Sequence, residues 1–345
     1  MGERLRLARE LKLMSQADLA DGIVTPAAVS QYERGAAIPS RKVLAEFAAR
    51  LDVGVGFFAV EERGFDTPAY FRSLRSAPAP ELKRARHNVQ LVHQVALELE
   101  EQVRLPAVDV PRVAVDERAD DDAPEAAADA VRRDWRTPTG PVDNVVRVLE
   151  RHGVIVARLA SGHEQIDAFS VPFSDRPVVM MSAAKGKKDR SRFDVSHELG
   201  HLVMHQPGQR STKAAESQAQ RFAAAFLMPA DEIRQQLPAA ADWDQLITLK
   251  RRWQVSLASL LYRAKTLGAM RPDVYVQAMK VLSGRGWRRH EPADLGEPES
   301  PVLLIKAMSV AEVDERELAR RTAMPLGLLR DILDLAADDR PEVIV

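Results

Sequence analysis

The sequence predicts an α+β fold that is mostly α-helical, and three observations support this prediction. Apolar residues recur every three or four positions over residues 3–51, 80–104 and 192–267, which is the period of helices packed by one face. Residues 154–182 are instead rich in Val and Ile or alternate in polarity, as strands do. The length of 345 residues, with 46% apolar and 29% charged side chains, suits two or three folded domains.

The composition narrows the classes of function. A formal net charge of −1 excludes a globally basic nucleic-acid coat, so any DNA contact must come from a local patch. Because the chain has no cysteine, it has neither disulfides nor thiolate ligands, and a metal site must use histidines and carboxylates. The charged N-terminus and the lack of an apolar run of roughly 20 residues predict no membrane segment, so we expect a reducing cytoplasm.

Residues 3–51 have the cadence of four or five short helices, two of which make a helix-turn-helix. Ser15, Thr25 and Ser40 are the expected N-caps of these helices. The second helix of the motif, from Pro26 to Arg34, is expected to enter the major groove of DNA. The polar residues expected to contact phosphates or base edges are Gln16, Thr25, Ser30, Gln31 and Arg34.

Charge gives only thin support to DNA binding by this segment. Residues 1–60 hold eight Lys or Arg against seven Asp or Glu. Ala27 and Ala28 stand where longer polar side chains could read bases, so we expect modest affinity per monomer. Dimerisation would be needed to read a DNA site well, and a homodimer is therefore among the expected states. A protein–protein adaptor is the alternative function for this segment.

The region 192–206 carries the residues that point most directly to chemistry. His197 and His201 lie four positions apart, so on a helix they share one face and both imidazoles can reach a single Zn²⁺. Glu198 projects beside them and is the candidate general base for the attack of water on a peptide carbonyl. The alternative is a solvated helix that happens to carry two histidines and a glutamate.

A catalytic zinc site needs a third protein ligand and an open position. Glu216, near the start of the next predicted helix at 212–227, is the candidate for this ligand. Asp231 and Glu232 compete for the role, although they follow Pro229 and their place at the start of a further helix explains them equally well. His205, two helical turns beyond His197, is an alternative ligand, a group supporting a ligand, or a simple packing residue.

Three short strands are expected at 154–160, 167–171 and 177–182. The last has two interpretations of equal weight: an edge strand that holds a substrate backbone as an additional strand, or an ordinary buried strand. The turn that follows is strongly cationic, and it either attracts an acidic segment or nucleic acid or is merely solvated. Its basic residues are Lys185, Lys187, Lys188, Arg190 and Arg192.

The remaining segments are expected to connect and close the molecule. The long helix at 80–104 carries one apolar stripe, suited to packing within the chain or to a dimer seam. Residues 284–301, rich in Gly, Pro and charge, indicate a linker or exposed loop. A small helical tail over 303–336 ends the chain. Residues 314–334 within it have a weak helix-turn-helix cadence, with plain helical packing as the alternative.

Taken together, the two modules resemble an XRE-family (Cro/repressor-like) helix-turn-helix domain fused to an ImmA/IrrE-type zinc metallopeptidase. The matching strings are LRLARELKLMSQADLA, TPAAVSQYERG, DAFS, RFDVSHELGHLVMH and ESQAQRFAAAFLMP. Gln218 and Gln220 stand where that family often has glutamate and asparagine. The expected division is a DNA-binding domain at 1–60, a connector with a long helix at 61–110, a peptidase domain at 111–270 and a C-terminal helical region at 271–345.

The resemblance implies a site and a function. It assigns His197, His201 and Glu216 as Zn²⁺ ligands and Glu198 as the general base. Members of the family cut a helix-turn-helix repressor and relieve repression of mobile-element or stress-response genes, so the expected substrate is a repressor protein. Two alternatives remain: a non-proteolytic regulator whose peptidase-like domain senses a partner or a metal, and an antitoxin-like DNA-binding protein.

Overall fold

The computed structural model describes residues 1–60, 78–120, 122–159, 166, 168–182, 186–206 and 212–333. Over these residues the chain is mostly helical and contains one sheet of three strands. The predicted class, α+β and mostly α, is confirmed. None of the helices in the described ranges combines the length and apolarity that crossing a membrane requires.

The N-terminal segment forms four short helices, followed by a 3₁₀ turn at Val55–Ala59. The three predicted N-caps are confirmed, since Ser15, Thr25 and Ser40 each accept a hydrogen bond from a backbone N–H in the first turn of the helix that follows. Leu19, Ala20 and Val29 are buried between these helices. The helices are α1 (Gly2–Leu11), α2 (Gln16–Ala20), α3 (Pro26–Glu33) and α4 (Arg41–Leu51).

A long helix, α5 (Ala79–Glu100), joins the N-terminal helices to the rest of the molecule. Its apolar stripe is buried inside this chain, against α1 on one side and the sheet on the other. The interpretation as an intramolecular core stripe is therefore confirmed, and the dimer seam is not needed to explain it. The predicted stripe residues that are buried are Ala85, Val89, Val92, Ala96 and Leu99.

The sheet has the strand order β1-β3-β2, formed by β1 (Ile155–Arg158), β2 (Phe169–Pro172) and β3 (Pro177–Met181). β1 pairs with β3 in parallel, and β2 pairs with β3 in antiparallel orientation. The interpretation of β3 as an edge strand is wrong. The short connection from β2 makes a hairpin on one side of β3 and β1 pairs on the other, so among the described residues the edges belong to β1 and β2.

Eleven further helices follow α5 in the described part of the chain. α8 begins four residues earlier than the predicted 192, and α7 begins at Val145, because the side chain of Asn144 caps its first turn. The helices are α6 (Asp122–Asp134), α7 (Val145–Arg151), α8 (Lys188–Met204), α9 (Lys213–Leu227), α10 (Ala230–Ile233), α11 (Trp243–Trp253), α12 (Leu257–Thr266), α13 (Pro272–Gly284), α14 (Leu303–Val310), α15 (Glu315–Arg321) and α16 (Leu326–Leu333).

The sheet separates two hydrophobic cores. Alternate residues along a strand face opposite sides, so Val178 and Met180 of β3 face one core while Val179 and Met181 face the other. The first core contains the N-terminal helices, α5 and the C-terminal helices α14 to α16. The second contains α6 to α9 and α11 to α13. The C-terminal helices thus pack with the N-terminal half of the chain.

The segment 285–302 is irregular, yet two of its glutamates fix it to the helices around the second core. Glu291 accepts hydrogen bonds from Lys250, at 2.7 Å, and from the backbone N–H of Leu257, at 2.9 Å. Glu299 is buried, ion-paired with Arg192 and bonded to the N–H of Val146 at 3.0 Å. The prediction of a linker or exposed loop is confirmed in that the segment is irregular and, apart from Glu299, exposed or half-buried, but its ion pairs hold it in place, because a buried carboxylate such as Glu299 must be paired.

Candidate metal centre and DNA-binding surface

The centre is built where α8 and α9 lie side by side. Gly200 permits the close approach: a Cβ at this position would lie 3.0 Å from Cδ1 and 3.2 Å from Cβ of Phe222 on α9. On α8 the rings of His197 and His201 are one helical turn apart and face each other edge to face, with centroids 4.9 Å apart. The closeness of the two helices brings both rings within reach of side chains from the first turn of α9.

Three side chains present ligand atoms to one point. Nε2 of His201 lies 3.1 Å from Nε2 of His197 and 3.6 Å from Oε1 of Glu216, and Nε2 of His197 lies 3.2 Å from Oε2 of Glu216. Tetrahedral ligands at 2.0–2.1 Å from zinc are spaced about 3.3–3.4 Å apart. The observed spacing brackets that value, and nitrogen with carboxylate oxygen is a donor set that zinc takes readily.

Glu216 owes its position to the start of α9. Thr212 caps this helix by accepting a hydrogen bond from the N–H of Ala215, which fixes the first turn where Glu216 lies. Further along α9, Phe222 and Phe226 are fully buried and their rings stack with centroids 6.0 Å apart. The buried end of the helix therefore fixes the angle at which its first turn presents the carboxylate.

Glu198 is buried beside the three donors and contacts the sheet. The hydroxyl of Ser170, on the edge strand β2, donates a hydrogen bond of 2.7 Å to Oε2 of Glu198. Burial raises the pKa of this carboxyl to about 8, while the neighbouring His197 and the Ser170 hydrogen bond act to lower it. A positive ion at the donors would oppose the effect of burial and favour the charged form, which is the form able to take a proton.

The imidazoles differ in their electrostatics. Burial lowers the pKa of His201 to about 4, and the nearby His197 and His205 act in the same direction. For His197 burial also acts to lower the pKa, but the hydrogen bond to Glu216 and the charge of Glu198 raise it overall. His201 is therefore neutral at pH 7, which is the form in which an imidazole nitrogen can bind a metal.

His205 lies one turn beyond His201, outside the group of mutually close donors. Its Nδ1 is 2.9 Å from Nδ1 of His201, and its Nε2 is 3.1 Å from Oε1 of Gln218. Ser170 and Gln218 are contacts that the sequence interpretation did not assign. Ser170 lies in the DAFS string and Gln218 two residues after Glu216, and those positions were the only signal that the sequence offered.

The competing acidic residues lie elsewhere. Glu232 accepts a hydrogen bond from the backbone N–H of Gly140 and lies 3.7 Å from Arg132. Asp231 is exposed in the first turn of α10. Neither belongs to the group of close donors found among the described residues.

The cationic turn before α8 divides into exposed and buried residues. Lys187 and Arg190 are exposed, and Lys185 lies outside the described residues. Arg192 is instead fully buried, where it pairs with Glu299 and donates to the backbone carbonyls of residues 142 and 143. Including Arg192 in a solvated cationic loop was therefore wrong, because it holds the segment 285–302 against α8.

The helix-turn-helix places its predicted contact residues around α3. Thr25, Gln31 and Arg34 are exposed, and Ser30 is half-buried. Gln16, at the start of α2, donates a hydrogen bond of 2.8 Å to Glu33, which also holds Arg9 in a buried ion pair. The Gln16 amide is thus anchored to α3.

Comparison with known families identifies both modules. Residues 5–58 match the helix-turn-helix family, and residues 149–265 match the family described as the IrrE N-terminal-like domain, of the M78 peptidases. The chain thus contains an XRE-type helix-turn-helix domain at residues 5–58, followed by an IrrE-like M78 domain at residues 149–265.

Two further comparisons add little. A solved structure of Bacillus thuringiensis PlcR in complex with the peptide PapR7 and DNA aligns over 97% of this chain and 95% of that chain, at 12% identity and a TM-score of 0.16. A TM-score of that size indicates no shared fold, so this similarity carries no argument. The search of curated proteins gave no match.

Proposed function

We propose that this protein is a zinc-dependent endopeptidase with an attached DNA-binding domain, and that it cleaves a helix-turn-helix transcriptional repressor. One observation carries the proposal: His197, His201 and Glu216 offer three ligand atoms that all lie within 4.8 Å of one another. The match to an IrrE-like peptidase family supports it. The expected consequence is control of mobile-element or stress-response genes, and the expected compartment is the cytoplasm.

Each residue of the site has a separate chemical role in this proposal. Zinc, when bound by the three ligands, supplies Lewis-acid polarisation and makes water more acidic. Glu198 is the group that takes the proton from the attacking water and returns it to the leaving amine. Ser170 holds the Glu198 carboxyl through its 2.7 Å hydrogen bond, so that this proton acceptor stays beside the ligands.

The substrate backbone is expected along β2. Among the described residues this strand is an edge of the sheet, and its Ser170 contacts Glu198, so a peptide added as a further strand would pass the general base. Main-chain hydrogen bonds would then hold an extended substrate segment largely independently of its sequence. In this proposal β2 takes the substrate-holding role that was one of two interpretations of residues 177–182.

The decisive experiment compares the wild type with Glu198→Gln. A candidate helix-turn-helix repressor, encoded by a neighbouring gene, is incubated with each zinc-loaded protein, and cleavage is followed by mass spectrometry. The proposal predicts that the zinc-loaded wild type cuts the repressor. The wild type stripped of zinc by a chelator and the zinc-containing Glu198→Gln protein should each cut it at least about a hundredfold more slowly. Equal disappearance of the repressor with both proteins would refute the peptidase and favour the non-proteolytic regulator.

A further inference from the structure

A chain of hydrogen bonds runs from the far side of the His201 ring to the protein backbone. Nδ1 of His201 lies 2.9 Å from Nδ1 of His205, and Nε2 of His205 lies 3.1 Å from Oε1 of Gln218. Nε2 of Gln218 donates to the backbone carbonyl of Asp116 at 2.8 Å. The three side chains are exposed by only 2%, 2% and 7%, so water does not compete freely for these bonds.

The backbone end of this chain sets its direction. A carbonyl can only accept, so the amide nitrogen of Gln218 faces Asp116 and its oxygen faces His205. That oxygen requires a hydrogen on Nε2 of His205, which leaves Nδ1 of the neutral ring as an acceptor. Nδ1 of His201 must then carry the hydrogen that it donates. The lone pair of His201 is consequently on Nε2, the atom that faces His197 and Glu216.

We propose that His205 and Gln218 are positioning residues that fix His201 in the tautomer and ring orientation that bind zinc through Nε2. The inference rests on the proposed function, since it takes zinc to be the ion. It also gives His205 a role other than that of a fourth ligand. Both of its ring nitrogens face other side chains, and a metal bound at either would break the chain.

The geometry of α8 explains how His205 comes to lie beside His201, the ligand that it positions. Positions 197, 201 and 205 follow at intervals of four, and His205 is the C-cap directly after α8, so the three rings lie in a row along one side of the helix. Centroids of adjacent rings are 4.9 Å apart in both pairs. Gln218 comes from α9, two residues after Glu216, so the helix that supplies the third ligand also supplies the support for His201.

The test measures zinc affinity rather than turnover. Metal-free full-length wild type, His205→Phe, Gln218→Leu and Gln218→Glu each compete with a chromophoric chelator for zinc. We expect His205→Phe and Gln218→Leu to bind zinc about 10–100-fold more weakly, which is the usual effect of losing a group that orients a metal ligand. Gln218→Glu still offers an oxygen to Nε2–H of His205 but loses the hydrogen bond to the Asp116 carbonyl, so its affinity should fall less than that of Gln218→Leu.

A matched control separates support of the ligand from loss of a packed ring. His152→Phe removes an imidazole that packs elsewhere, stacked on Trp135 with centroids 4.2 Å apart, and should leave zinc affinity unchanged. If His205→Phe fails to fold, the two Gln218 variants alone test the inference, because they keep the rings of His201 and His205.

The outcomes distinguish this inference from the proposed function. A wild type that binds no zinc would refute the proposed function and the inference together. If the wild type binds zinc and Gln218→Leu binds it equally tightly, the inference is overturned while the proposed function stands. A Gln218→Glu protein as weak as Gln218→Leu would also overturn the inference, because the accepting oxygen would then have no part in zinc binding.

Discussion

At the scale of single residues, the carboxyl group of Glu198 depends on a hydroxyl from another element. Ser170 donates to it across the contact between β2 and α8. We predict that Ser170→Ala slows peptide cleavage about 10–100-fold, because the carboxyl loses the bond that orients it, while the zinc content stays at the wild-type level. Single-turnover cleavage and metal analysis on the same samples would measure both effects.

A second buried serine provides the control for this prediction. Ser196, like Ser170, is fully buried, but its hydroxyl donates to the backbone carbonyl of Arg192 within α8. Ser196→Ala should therefore cleave at a rate close to that of the wild type. Equal rates for Ser170→Ala and the wild type would show that Glu198 needs no orienting partner.

The closeness of the three candidate ligands was predicted from the sequence because it depends mostly on local geometry. His197 and His201 share a helix face by their spacing alone, and Glu216 begins the next helix along the chain. Ser170 could not be assigned in this way, since its partner lies 28 positions away and the contact exists only once β2 packs on α8.

At the scale of elements, the approach of α8 to α9 sets the separation between the histidines and Glu216. We predict that Gly200→Ala lowers the free energy of unfolding by about 1–3 kcal/mol, because its methyl group would lie 3.0 Å from the buried Phe222 ring, which must shift by a few tenths of an ångström. Zinc affinity should fall as well, since Phe222 and Glu216 lie on the same helix. Denaturant unfolding and chelator competition would measure the two changes.

Gly284 at the end of α13 is the matched control. It is also helical, yet a Cβ there meets nothing within 4 Å. Gly284→Ala should leave zinc affinity unchanged and leave stability equal or slightly higher, as alanine is the better helix former. If Gly200→Ala were as stable and bound zinc as tightly as Gly284→Ala, the close packing would not be required.

The contact between α1 and α5 contains an acid-sensitive group. Glu10 is bonded to His87 at 2.7 Å and to Lys83 at 3.2 Å on α5, with Arg6 and Arg9 nearby on its own helix. Burial acts to raise the pKa of Glu10, but the hydrogen bonds and charges of His87 and Lys83 lower it from 4.5 to about 2. A depressed carboxyl pKa stabilises the folded state above pH 4.5.

That stabilisation must be lost as the pH falls from 4.5 towards 2, because the folded protein then has to protonate a carboxylate that it holds ionised. We predict that the wild type loses more unfolding free energy than Glu10→Gln between pH 5 and pH 3, in urea titrations. Glu3→Gln, which changes an exposed carboxyl on the same helix, should behave like the wild type. Parallel pH profiles for wild type and Glu10→Gln would contradict the account.

The order of the strands in the sheet could not be predicted from the sequence. Alternation and β-branched residues indicate which segments are strands, but they do not say which strands are neighbours. From the sequence, β3 could have been either an edge strand or the central strand of the sheet. It is the central strand because β1 pairs with it on the side opposite β2.

At the scale of the whole molecule, the C-terminal helices return to the N-terminal half. Arg4 of α1 donates to Gln94 of α5 at 3.1 Å, and Gln94 donates to the backbone carbonyl of Thr322 at 3.0 Å. This bond joins residues 228 positions apart, and no local pattern could have predicted it. The helix-turn-helix, α5 and the C-terminal helices thus share one core, while α8 and α9, which carry the candidate metal ligands, pack in the other.

Because the two modules use different cores, we predict that DNA binding and metal binding can be impaired separately. Arg34→Ala should weaken binding to operator DNA about tenfold and flatten its salt dependence, without changing zinc content. Arg271→Ala removes another exposed positive charge, at the residue before α13, and should leave DNA affinity unaltered. Fluorescence anisotropy at several salt concentrations would measure both, and equal affinities for the two variants would remove Arg34 from the DNA contact.

The most direct test of the central claim is the zinc content of the intact protein after loading and removal of free metal. We predict about one zinc per chain for the wild type, as expected of a site with three protein ligands, and almost none for His201→Ala or Glu216→Ala. His290→Ala, which changes an exposed histidine outside the site, should retain the metal. Zinc retained equally by His201→Ala, Glu216→Ala and the wild type would contradict the account.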